Sequence, residues 1–114
     1  MPVRVYSPSR SGKGIPDAVK ARVERRIPDY ANQSCAGKFT RIEVSFRGAF
    51  CYIDVYLDPG VPTHLCRIRY CGSEDRWSFA FYTYAHDKYE PSLLMTGSRQ
   101  GTPEEAFETS TLFY

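Results

Sequence analysis

No apolar stretch in the 114-residue chain approaches the ~20 residues needed to cross a bilayer, so a membrane-spanning helix is excluded. The opening Met1-Pro2-Val3-Arg4-Val5-Tyr6 leads into polar Ser7-Pro8-Ser9-Arg10 and lacks the apolar core of a signal peptide, which predicts a cytoplasmic protein. Four cysteines (Cys35, Cys51, Cys66, Cys71) are too few for a disulfide scaffold at this length. His64, Cys66 and Cys71 lie close in sequence, but no C-x2-C spacing accompanies them, so the cysteines read as small core hydrophobes. No metal and no cofactor is expected. Ser9-Arg10-Ser11-Gly12-Lys13-Gly14 is not a P-loop, no strand carries an RNP1 pattern, and no Ser/His/Asp or Cys/His nucleophile signature is present. Internal repeats and low-complexity tracts are absent as well, so the chain reads as one domain spanning residues 1–114.

What the chain does have is aromatic content: nine Tyr, seven Phe and one Trp, 15% of residues, which argues against disorder and coiled coil. Its net charge of +2 hides an asymmetry. Residues 1–41 hold nine Lys/Arg against three Asp/Glu, and residues 42–114 hold six against ten. A basic N-terminal third suits a polyanionic partner, although a solvated basic helix face produces the same count.

The periodicity predicts an α+β fold, a two-layer sandwich in the order α-β-β-β-β-α with both helices on one face of a four-stranded antiparallel meander. Residues 1–14 form a basic Ser/Gly/Pro loop. A helix over residues 15–33 carries Ile15, Val19, Val23 and Ile27 inward and Lys20, Arg22, Arg25 and Arg26 outward. Pro28 is expected to end or kink it, with a last turn through Tyr30 and Ala31. Over residues 39–85 the period changes to two, and Gly48-Ala49 fits a two-residue type II′ turn. Residues 86–101 read as an irregular crossing. Thr102-Pro103-Glu104-Glu105 is a capping box that opens a helix over residues 102–113, with Leu112-Phe113-Tyr114 expected to pack back on the core.

The turn sets Arg47 beside Phe50, Ser45 beside Tyr52, Glu43 beside Asp54 and Arg41 beside Tyr56. Sharing of the apolar face then favours Tyr52 beside Arg69, Asp54 beside Arg67, Tyr56 beside Leu65, Ala80 beside Arg67 and Ser78 beside Arg69. Ile42, Val44, Phe46, Cys51, Ile53, Val55, Ile68, Trp77 and Phe79 form the core face, with His64 in the same parity set. The opposite face holds Arg41, Glu43, Phe50, Tyr52, Asp54, Tyr56, Arg67, Arg69, Tyr82 and Tyr84. A merely solvated sheet face carries Thr, Lys, Glu and Ser; Tyr and Arg instead offer flat surfaces with polar tips. The leading expectation is a small non-enzymatic module binding nucleic acid, preferably single-stranded, on this face. Arg41, Arg67, Arg69, Arg10 and Lys13 would meet phosphates, and Tyr52, Tyr56 and Tyr82 would stack on bases. A homodimer or protein-interaction surface on the same face is the alternative. The third is a small hydrolase or ligand-binding protein centred on Glu43 and Asp54, two carboxylates facing each other, with Arg67 as their expected neutraliser.

Overall fold

A computed structural model describes residues 14–34, 41–58 and 61–112. Arg10, Lys13, Cys35, Phe113 and Tyr114 lie outside the described residues. The fold is α+β: helix α1 (Asp17–Ser34), strands β1 (Arg41–Arg47), β2 (Phe50–Asp58), β3 (Val61–Ser73), β4 (Arg76–Thr83), β5 (Lys88–Pro91) and β6 (Gln100–Gly101), then helix α2 (Pro103–Leu112). Strands β1 to β5 form an antiparallel meander in chain order, and β6 pairs with β4.

Along α1 the four-residue recurrence places Val19, Val23, Ile27 and Ala31 in the interior. The helix continues past Pro28 to Ser34, close to the expected span of residues 15–33, so Pro28 does not end it. Proline there forgoes one ladder bond, and the buried Ile27 and Ala31 on either side hold the turn in place. At α2 the capping box forms as expected. The Thr102 backbone N–H donates to Glu105 Oε1 at 2.9 Å, and the Glu105 N–H donates to Thr102 Oγ1 at 3.1 Å. The inward residues of both helices join Cys51, Ile53, Val55, Leu65, Cys66, Ile68, Trp77 and Phe79 in one core, so both helices cover the same face of the sheet.

The β1–β2 hairpin has the expected register throughout, from Arg47 opposite Phe50 to Arg41 opposite Tyr56. Gly48 takes φ 61°, as the first central position of a II′ turn demands. The β3–β4 pairing also agrees, with Arg67 opposite Ala80 and Arg69 opposite Ser78.

Two expectations are corrected. The sheet has six strands, because residues 86–101 contain β5 and β6. Both are too short for a period of two to stand out, and it is pairing with β4 that makes them strands. The β2–β3 register is also shifted. Phe50 faces Arg69, Tyr52 faces Arg67, and Asp54 faces His64, not Arg67; Tyr56 faces Pro62, not Leu65. The slip of Tyr52 from Arg69 to Arg67 is one of two residues and keeps each side chain on its face. The further one-residue step that brings His64 opposite Asp54 is a bulge between the Ile53 and Asp54 pairings, where Leu65 has no partner of its own. Leu65 and Cys66, consecutive in sequence, are both buried. Parity is reset N-terminal to them, and His64 leaves the core set for the open face.

Candidate functional site

Rows across the open face follow from these registers. The first reads Arg47, Phe50, Arg69, Ser78; the second Ser45, Tyr52, Arg67, Ala80, Pro91; the third Glu43, Asp54, His64; the fourth Arg41, Tyr56, Pro62. Tyr89 joins from β5, opposite Tyr82 on β4. Three strand spacings, roughly 14 Å, separate β2 from β5. Even so, the Tyr52 and Tyr89 rings meet edge to face with centroids 5.6 Å apart. The two rings therefore lean toward each other across Arg67 and Ala80, and the small Ala80 leaves the room that this requires.

Beneath them the Arg67 guanidinium lies 4.4 Å from the Phe50 ring centroid and 5.1 Å from that of Tyr89. Its Nε is buried without a hydrogen-bond partner. Among the described residues no ion pair joins Arg67 to Glu43 or Asp54, so the expected Glu-Asp-Arg neutralisation is replaced by other contacts. Glu43 accepts a hydrogen bond from Tyr56 Oη at 3.1 Å and lies 3.9 Å from Arg41. That bond to the carboxylate raises the Tyr56 hydroxyl above its usual pKa. Arg41 also covers the Tyr56 ring at 4.9 Å.

Asp54 pairs with His64: Nδ1 lies 3.0 Å from Oδ1. A carboxylate only accepts, so Nδ1 carries the hydrogen and Nε2 is the acceptor nitrogen of the neutral ring. The His64 side chain is 41% exposed and that of Asp54 19%. Aromatic rings fix the imidazole from the other side. Tyr82 lies at 4.9 Å and Tyr84 at 6.3 Å, nearly parallel to it, and Tyr84 Oη accepts the His64 backbone N–H at 2.8 Å. Tyr82 in turn donates to Asp87, which raises its hydroxyl pKa to about 12.

A cleft of about 260 Å3 opens among Ser45, Phe46, Arg47, Tyr52, Asp54, His64 and Tyr89. Burial lifts the Tyr89 hydroxyl well above the usual phenol pKa, which keeps it a protonated donor across the neutral range. A second cavity of about 310 Å3, beside Phe79, Pro91, Leu93 and Arg99, holds no comparable group of titratable residues.

Of the residues singled out from sequence, Arg41, Tyr52, Tyr56, Arg67, Arg69, Tyr82, Glu43 and Asp54 all lie on this face. Tyr52 and Asp54 reach the cleft, as does Arg47. Sequence reasoning missed His64 and Tyr89. The adjacent apolar pair Leu65-Cys66 in an otherwise alternating strand is the signal for the first. The four residues of β5 are too few to signal the second. No protein-family model matches the chain, and neither a curated protein nor a solved structure matches it.

Proposed function

We propose that the open face binds single-stranded nucleic acid. The observation that carries this is the row Arg47, Phe50, Arg69: two exposed arginines without an ion-pair partner among the described residues, on either side of an aromatic ring. Guanidinium groups left unpaired on a surface are donors for phosphate, and an aromatic ring between them offers a platform for a base. The adjoining cleft, walled by Tyr52, Tyr89 and His64, is of a size for one base, with Arg47 at its margin. Arg41 adds a further guanidinium at the far end of the face, while Arg67 contributes positive charge beneath the aromatic floor.

Fluorescence anisotropy with a labelled single-stranded oligonucleotide, repeated across salt concentrations, tests the reading. Affinity is expected to fall as salt rises, and Arg47→Ala or Arg69→Ala should each lower the salt slope by about 1. Tyr52→Ser should cost about 1–3 kcal/mol of binding, the value of one stacked base. Binding that does not respond to salt overturns the proposal. So does sedimentation showing that the wild-type face, but not that of Tyr52→Ser, pairs with a second copy.

A further inference from the structure

We propose that the cleft cleaves the RNA it holds, with His64 taking the proton of a 2′-hydroxyl. This rests on the preceding reading and adds a reaction to it. β3 spends one residue, Leu65, outside the ladder, and the result is a histidine opposite an aspartate at the mouth of a cleft. Bulges placed next to a cleft re-aim a side chain at the expense of regular pairing.

The imidazole is held for base chemistry. Asp54 fixes Nδ1 as the protonated nitrogen, which leaves Nε2 with a lone pair in a side chain that lines the cleft and reaches solvent. The groups that face it are Asp54 from β2, Tyr82 from β4, Tyr84 from the turn that follows, and Tyr89 from β5. Asp54 is a positioning residue that also stabilises the imidazolium once it forms. Ser45 lines the same cleft, but no hydrogen bond joins it to His64 among the described residues, so the nucleophile is assigned to the substrate.

The step balances without a co-reactant. Nε2 takes the 2′-hydroxyl proton, and the O2′ electron pair forms a bond to the adjacent phosphorus. The P–O5′ bond breaks, with its pair remaining on O5′. O5′ takes a proton from water, and the imidazolium returns one to solvent. One fragment ends in a 2′,3′-cyclic phosphate and the other in a 5′-hydroxyl. Arg47, on the cleft wall, meets the charge gathered on the phosphoryl oxygens, and the protonated Tyr89 hydroxyl is a further donor there. DNA lacks the attacking oxygen and is held uncleaved.

The test uses the full chain, with chelator present, on three labelled oligonucleotides of one sequence: RNA, 2′-O-methyl RNA and DNA. Anisotropy reports binding, and mass spectrometry reports the end groups. The expected result is binding of all three and cleavage of the RNA alone, to cyclic-phosphate ends. His64→Gln should slow cleavage by about 100-fold or more at saturating RNA, where any loss of binding is separated from loss of the chemical step. Asp54→Asn should slow it too, through kcat with KM changed by less than about 3-fold, a split that a merely structural aspartate does not produce. RNA bound but left intact by the wild type overturns the inference and leaves the binding reading standing. Failure to bind any of the three overturns both. Cleavage at an equal rate by His64→Gln, or of 2′-O-methyl RNA, assigns the activity elsewhere and overturns the inference.

Discussion

At the scale of single residues, burial decides the chemistry of the cysteines. Cys51 and Cys66 are fully buried on the core side of β2 and β3, and removal from water raises both thiols, Cys66 to about 12. The thiolate is the reactive form, so neither side chain is available for alkylation in the folded protein. Cys71 is half-buried near the end of β3, where its thiol donates to the Arg69 carbonyl at 3.4 Å and accepts from Gln100 Nε2 at 3.5 Å. Iodoacetamide treatment of the native protein at pH 8, followed by peptide mass spectrometry, should modify Cys71 and leave Cys51 and Cys66 unmodified. Under denaturant all four cysteines of the chain, Cys35 included, should react. The role of Cys51 and Cys66 as small core hydrophobes was legible from the alternation of β2 and β3; Cys71, expected in the core with them, lies outside it. Leu65 was not legible, because strict alternation assigned it to the open face.

At the scale of elements, the local rules held wherever an element's own sequence decided its geometry. The II′ turn at Gly48 fixed β1 against β2, and Thr102 with Glu105 fixed the start of α2. Alternation failed where tertiary packing decided. Burying both Leu65 and Cys66 required a bulge, and residues 86–101 became strands only by pairing with an existing edge. The face was therefore readable residue by residue, but its central pair, Asp54 with His64, was not.

Helix α1 offers a sharper example. Pro28 lacks the N–H that would bond to the Glu24 carbonyl, and tertiary packing carries the helix through it. Replacing it should therefore strengthen the element. Pro28→Ala is expected to raise unfolding stability by about 1–2 kcal/mol, the helix-interior penalty less the entropy that proline removes from the unfolded chain. The urea midpoint measures this, and the m-value should be unchanged.

At the scale of the whole molecule, one charge cluster ties three elements together. Arg26 on α1 bonds Glu104 on α2 at 2.7 Å and 2.8 Å. It also reaches Glu74 at 3.0 Å and Asp75 at 2.9 Å in the β3–β4 turn, where Arg22 joins Glu74 at 2.6 Å. The basic face of α1, which by composition resembled a polyanion site, is thus partly satisfied within the fold. Arg22, then Arg26, hold the Glu74 carboxyl below its usual pKa, and the carboxylates hold Arg26 above its own. A depressed carboxyl stabilises the fold fully above the unfolded-state value of about 4.3, and that contribution is lost as pH falls through the folded value. The melting temperature should decline as pH is lowered from about 4.5 toward 2, and Glu74→Gln should decline less steeply over the same window. Differential scanning calorimetry across that range reports both.

The outer border of β4 has a consequence for encounters between molecules. β5 shields Ala80 to Thr83 and β6 shields Trp77 and Ser78, so two segments of four and two residues divide between them what one long edge strand would otherwise cover. Each is too brief to template the addition of a foreign strand, and Lys88 and Pro91 at the ends of β5 place a charge and a missing donor where such growth would begin. At the opposite border, β1 starts and ends in arginine. A molecule that keeps a broad aromatic face open has both of its sheet margins guarded against becoming the seed of a fibril.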